Sequence, residues 1–208
     1  MKTEILLAQD PGMLARAQAV LQKGGLVAFP TDTVYGVGAL AFNGTAVGRI
    51  YTAKARPVEK AIPVLIGASI DLEKVTLEAP EAALRLAARF WPGPLTLVVP
   101  KHPDLPETVS VTPTVGVRVP DHSVARRLLS AAGPMAVTSA NLSGQPSPST
   151  AQEVLMQLGG KIALIIDGGK TPGGVPSTVV DCSGPEIRIL REGPILKDQI
   201  WAVLGLGF

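Results

Sequence analysis

The apolar residues of this chain come in runs of four or five, each cut off by glycine, proline or a polar turn. Residues 26–29, 62–66, 95–99, 135–138 and 163–166 are examples. Runs of that length suit buried β-strands and fall far short of the roughly 18 residues a membrane-spanning helix needs. Between them the apolar spacing changes to a helical period. Leu14, Ala17 and Leu21 share one face, as do Ala83, Leu84, Ala87, Ala88 and Trp91. A chain that alternates the two periods is an α/β protein with helices packed on a sheet.

Punctuation sharpens the boundaries. Asp10-Pro11 reads as an N-cap followed by a proline in the first turn, and Gly24-Gly25 ends that helix. Asn43, Asp121 and Thr150 read as caps of helices running to about 53, 132 and 158. Pro80 opens a helix that WPGP (91–94) closes. Strands are expected at 5–8, 116–119, 178–181 and 187–190, and a last helix at 197–204. The stretch 30–38, PTDTVYGVG, reads as a loop. The chain has 208 residues and no obvious linker, so a single domain over 1–208 is expected.

Composition narrows the function classes. With 46% hydrophobic and 17% charged residues the chain can bury a large core. Its mean hydropathy is +0.31, and it still contains no uninterrupted membrane-length run. The N-terminus, MKTEILLAQD, is unlike a secretion signal, so a cytoplasmic protein with no membrane segment is expected. One cysteine excludes an intrachain disulfide, and Cys182, in VVDCS, reads as a small buried hydrophobe. With only His102 and His122 beside it, a thiol enzyme or a His/Cys metal site is not supported. A net charge of +2 does not by itself imply a nucleic-acid partner.

Four segments concentrate groups that could bind a ligand. PTDTVYGVG (30–38) offers the hydroxyls of Thr31, Thr33 and Tyr35 beside Gly36 and Gly38. KARPVEK (54–60) fans out Lys54, Arg56 and Lys60, a pattern that suits phosphate. TPTVGVRVPDH (112–122) places Arg118 within an apolar strand, where an arginine needs a partner and can hold a carboxylate. TSANLSG (138–144) ends a strand in Ser139, Asn141, Ser143 and Gly144. Each segment alone also fits an ordinary turn or a solvated face. No P-loop is present and no Rossmann glycine fingerprint follows a strand.

Taken in order, PTDTVYGVG, KARPVEK, WPGPLT, VGVRVPDH, TSANLSGQPSPS, PSTVVD and ILREG resemble the YrdC family, the threonylcarbamoyl-adenylate synthases, from about residue 26 to 193. The resemblance implies one α/β domain with a twisted mixed sheet and flanking helices around a concave basic cavity. It implies a nucleotidyltransferase that joins ATP, L-threonine and bicarbonate into threonylcarbamoyl-AMP and pyrophosphate. Partner proteins then use the product in threonylcarbamoyladenosine modification of tRNA. Thr33, Arg118, Ser139 and Ser177 would bind threonine. Lys54, Arg56, Lys60, Thr114, Asn141, Ser149 and Arg191 would line the ATP site, with Mg2+ carried in by ATP. No general base and no metal ligand stands out. Some family members carry asparagine at the position of Lys60 and histidine near Leu65, so Leu65 removes one polar contact. Two alternatives share the fold: a module that binds double-stranded RNA or tRNA in ribosome maturation, and a superfamily paralogue with another carbamoyl substrate.

Overall fold

β-Branched residues in the apolar runs pack well on a pleated surface, and ten strands join one sheet. The computed structural model describes residues 2–173 and 175–205. The strands are β1 (Glu4–Leu7), β2 (Val27–Pro30), β3 (Tyr35–Leu40), β4 (Val64–Leu65), β5 (Leu95–Pro100), β6 (Thr114–Arg118), β7 (Met135–Ser139), β8 (Leu164–Asp167), β9 (Thr178–Asp181) and β10 (Arg188–Arg191). The helices are α1 (Met13–Gln22), α2 (Gly44–Lys54), α3 (Glu81–Phe90), α4 (Ser123–Ala132), α5 (Ala151–Leu158) and α6 (Lys197–Leu204). A 3-10 turn covers Ser69–Lys74. The sheet is mixed, in the order β1-β8-β2-β3-β7-β4-β6-β5-β9-β10.

Alternation sorts each central strand into two faces. Val37, Val64, Ala136, Leu97, Val117 and Val180 point into a core with residues of α2, α3, α5 and α6. On the other face, α1 and α4 cover Val27, Phe29, Leu164 and Ile166. The rest of that face carries Gly36, Leu65, Val98, Gly116, Arg118, Val137, Ser139 and Val179, and these line a cavity. The site is therefore the part of one sheet face beyond the cover of α1 and α4.

Local signals explain most boundaries. Asn43 Oδ1 accepts from Ala46 N at 3.0 Å, and Thr150 Oγ1 accepts from Glu153 N at 3.2 Å, the expected caps. Gly24 takes φ +72° and ends α1. Other expectations change. Asp10 instead accepts from Leu7 N in a turn, and α1 begins after Gly12. His122 rather than Asp121 precedes α4, without a side-chain cap. Leu84 and Ala88 are exposed, and Leu86 joins Ala83 and Ala87 in the core. The largest change is β3, because the stretch expected as a loop continues as a strand from Tyr35. Its glycines are what let it pair: a Cβ at Gly38 would lie 2.6 Å from the Ala136 carbonyl and 2.7 Å from Val137. Among the described residues no helix is long and apolar enough to cross a membrane.

Candidate active site

The cavity has a volume of about 400 Å³. Its walls mix apolar side chains (Leu65, Val98, Val137 and Val179) with hydroxyls and three guanidinium groups, those of Arg56, Arg118 and Arg191.

Arg118 ends β6 and is 6% exposed. A charge buried that deeply needs partners, and three hold it. Nε donates to the Gly93 carbonyl at 2.9 Å, one NH group to Asp32 Oδ1 at 2.6 Å, and the other to Thr33 Oγ1 at 3.3 Å. A guanidinium has five N–H groups, so two have no partner among the described residues. Burial pushes the group below its ordinary pKa, Asp32 pulls it back up, and the charge of Arg191 pushes it down again. Two like charges facing one cavity make it receptive to an anion. Thr33 is itself fixed, because its hydroxyl shares a 3.1 Å hydrogen bond with Thr31, which in turn donates to the Val34 carbonyl at 2.7 Å.

Across the cavity, Ser177 precedes β9. Its hydroxyl lies 2.8 Å from that of Thr96 on β5 and accepts from Arg191 at 3.2 Å. Arg191 Nε also donates to the Ser177 carbonyl at 3.0 Å. Gly193 packs so closely here that a Cβ would lie 2.6 Å from the Pro176 carbonyl oxygen and 2.7 Å from the Ser177 carbonyl carbon. The ILREG segment thus acts through both its arginine and its glycine.

A third group comes from the end of α2, where Ala55 adopts φ 49° and reverses the chain. That left-handed turn sends two cations in different directions. Arg56 donates to the carbonyls of Lys60 and Ala61 at 3.2 and 2.9 Å and lines the cavity. Lys54 is 1% exposed and donates to the carbonyls of Ser139 and Asn141. Its own carbonyl accepts from Ser143 N at 2.8 Å. Burial, with the charge of Arg56, lowers its pKa to about 8.

Nine of the residues singled out in the sequence come together on the cavity wall: Thr31, Thr33, Gly36, Arg56, Leu65, Arg118, Ser139, Ser177 and Arg191. Four do not. Lys54 is turned under the 139–143 turn rather than into the cavity. Lys60 is exposed, and among the described residues only its backbone is engaged. Thr114 lies four residues before Arg118, about 13 Å along the strand, and its hydroxyl meets Thr112 at 3.0 Å. Ser149 lines a second cavity of about 460 Å³ with Glu153 and Lys170, and Ser147 lines both cavities. Asn141 is 6% exposed and donates to the Leu142 and Gln145 carbonyls at 2.8 Å, while its Oδ1 has no donor among the described residues. Tyr35, singled out for its hydroxyl, is buried and braces Gly169 O at 2.7 Å; burial raises its pKa to about 12. Sequence reasoning missed Thr96 and the structural role of Asp32. The signal for Thr96 was a lone hydroxyl among the leucines and valines of β5.

A family model covering Sua5, YciO and YrdC proteins, described as "Telomere recombination", matches residues 19–193. The chain belongs to this Sua5–YciO–YrdC family. The Bacillus subtilis threonylcarbamoyl-AMP synthase is 48% identical over 98% of this chain and 59% of its own length. A putative threonylcarbamoyl-AMP synthase from Mycobacterium tuberculosis (strain H37Rv) is 40% identical, over 98% of this chain and 96% of its own. A crystal structure of Pyrococcus abyssi Sua5 complexed with L-threonine superposes with a TM-score of 0.92 at 41% identity, covering 99% of this chain and 61% of that one. This member of the Sua5–YciO–YrdC family therefore spans about three fifths of the Bacillus and Pyrococcus relatives.

Proposed function

We propose that this chain is an L-threonylcarbamoyladenylate synthase, making threonylcarbamoyl-AMP and pyrophosphate from ATP, L-threonine and bicarbonate. The observation that carries the reading is Arg118: a buried guanidinium on a cavity wall with two N–H groups uncommitted. It suits an α-carboxylate, and the apolar wall of Leu65, Val137 and Pro63 suits an aliphatic side chain. The threonine complex of the Pyrococcus relative and the names of the curated relatives support the same assignment.

In this reading Arg118, held in place by Thr33, anchors the carboxylate, and Ser139 and Ser177 supply further hydroxyl contacts. Arg56 and Arg191 neutralise phosphate oxygens, with Mg2+ arriving on ATP. The nucleotide runs past Ser147 toward Ser149, and Asn141 holds the intervening turn through the Leu142 and Gln145 carbonyls. Lys54 sets the turn between the two substrates without touching phosphate, and Lys60 and Thr114 are left at the margin. The threonine amine adds to the carbon of bicarbonate, releasing water and leaving a carbamate. A carbamate oxygen then attacks the α-phosphorus, and pyrophosphate leaves. The chain's contribution is positioning and charge neutralisation, which dominate nucleotidyl transfer. The product would pass to tRNA-modifying partner proteins.

The test is pyrophosphate release by the purified protein with ATP, bicarbonate and Mg2+, with and without L-threonine. Release that depends on threonine is expected; release that ignores threonine, or none, refutes the assignment.

A further inference from the structure

Beyond the Gly93 carbonyl that holds Arg118, the segment WPGPLT has no role in the chemistry above, yet it delivers a polar group to the cavity. Thr96 sits between Leu95 and Leu97, which point into the core on the opposite face. Thr96 and Ser177 are each 5% exposed and both line the cavity. The Thr96 methyl lies over Gly116, where a Cβ would come within 3.1 Å of it. A β-branched side chain wedged in this way has little rotational freedom, so its hydroxyl direction is set.

The hydrogen-bond count then has one proton too many. Arginine only donates, so Ser177 Oγ accepts in its contact with Arg191. The two hydroxyls share one 2.8 Å bond and own two protons. If Thr96 donates to Ser177, the Ser177 proton is left over. If Ser177 donates to Thr96, the Thr96 proton is left over. No other protein acceptor meets either hydroxyl among the described residues. One oriented O–H is therefore presented at the cavity wall in either arrangement.

We propose that Thr96 and Ser177 form a hydroxyl pair that donates one hydrogen bond to an oxyanion of the amino-acid substrate, with Thr96 the positioning residue that aims it. This rests on the synthase reading. The oxyanion is either the carboxylate or the carbamate formed during turnover, and the two sources separate experimentally.

The test compares Thr96→Val, Thr96→Ser, Ser177→Ala and the Thr96→Val/Ser177→Ala double variant. The readouts are threonine-dependent pyrophosphate release and calorimetric threonine binding without ATP or bicarbonate. Thr96→Val should lower kcat/KM for threonine by roughly three- to tenfold, the scale of one neutral hydrogen bond, and leave the KM for ATP within about twofold. Thr96→Ser should recover most of the loss, because it keeps the hydroxyl. The double variant should be no worse than Ser177→Ala. A carboxylate ligand lowers calorimetric affinity by the same factor as kcat/KM; a carbamate leaves affinity intact and lowers kcat. Unchanged kinetics in Thr96→Val, a Thr96→Ser variant as impaired as Thr96→Val, or additive losses would each overturn the pairing. If the valine variant does not fold, Thr96→Ala replaces it in the same cycle. Wild-type protein lacking threonine-dependent release overturns the synthase reading together with this one, whereas active wild type beside unaffected variants overturns the hydroxyl pair alone.

Discussion

Replacing Asp32 by asparagine should weaken the fold and strengthen its response to threonine. The Asp32 and Arg118 side chains are 13% and 8% exposed and 2.6 Å apart. Asparagine keeps an acceptor oxygen in nearly the same place, so the change removes charge more than geometry. Unit charges about 4 Å apart interact by about 4 kcal/mol at an effective dielectric of 20. Leaving one buried charge without its counter-charge costs about 3–5 kcal/mol. The bonds from Arg118 to Gly93 and Thr33 survive, so we take the lower end, about 3 kcal/mol. At about 2–4 °C per kcal/mol for a chain of this size, the melting temperature should fall by roughly 6–12 °C. A threonine carboxylate would then supply the missing negative charge. Saturating L-threonine should raise the melting temperature of Asp32→Asn more than that of wild type, and threonine methyl ester, which lacks the carboxylate, should give no such excess. Thermal melts followed by circular dichroism measure both. A fall under about 2 °C would show that the pair contributes little. Equal threonine increments in the two proteins would show that Arg118 does not receive the carboxylate.

Three further outcomes follow from the same geometry. The Lys54 pKa falls from 10.5 to about 8 on folding, so between those values the unfolded chain binds more protons. Stability from this group therefore rises with pH across that window. The gain is on the order of 2 kcal/mol, since the two carbonyl acceptors favour the ammonium and offset part of the shift; urea titrations of wild type and Lys54→Met that run parallel from pH 8 to 10.5 would contradict this. Gly193→Ala would press a methyl onto the backbone of residues 176–178, costing about 2 kcal/mol or more and weakening threonine binding by displacing Ser177; calorimetry showing normal affinity would argue against it. Ala55→Gly should stabilise the protein by about 0.5–1 kcal/mol, because φ 49° strains alanine and not glycine, and a lower urea midpoint would reverse that conclusion.

Much of the architecture was legible because it is local. Asn43 and Thr150 cap helices by contacts within three residues, and short apolar runs bounded by turn residues suit strands. β3 escaped because glycine usually marks a loop; here it marks a backbone pressed against Val137, a partner a hundred residues away in sequence. In the site, Arg118 was legible as a lone cation in an apolar strand, a conflict that required a partner. That partner, Asp32, lies 86 residues earlier and reads as turn chemistry until the fold joins them. Lys54 and Arg56 look equivalent in KARPVEK. Only the left-handed turn at Ala55 decides that one braces a loop and the other faces the cavity, and no local pattern encodes that reversal.

The uncovered sheet face constrains how such a site can change. Along the sheet β7, β4, β6, β5 and β9 each give residues to the core and others, pointing the opposite way, to the cavity. Inserting or deleting one residue in a strand would swap the two sets, placing Arg118 in the oil and Val117 or Ala136 at the cavity. Substrate preference can therefore drift by substitution at same-face positions such as Leu65, Val98, Val137 and Val179, whereas changes in length are confined to the loops. A protein built on this plan is free to exchange the lining of its pocket and is held to its strand lengths.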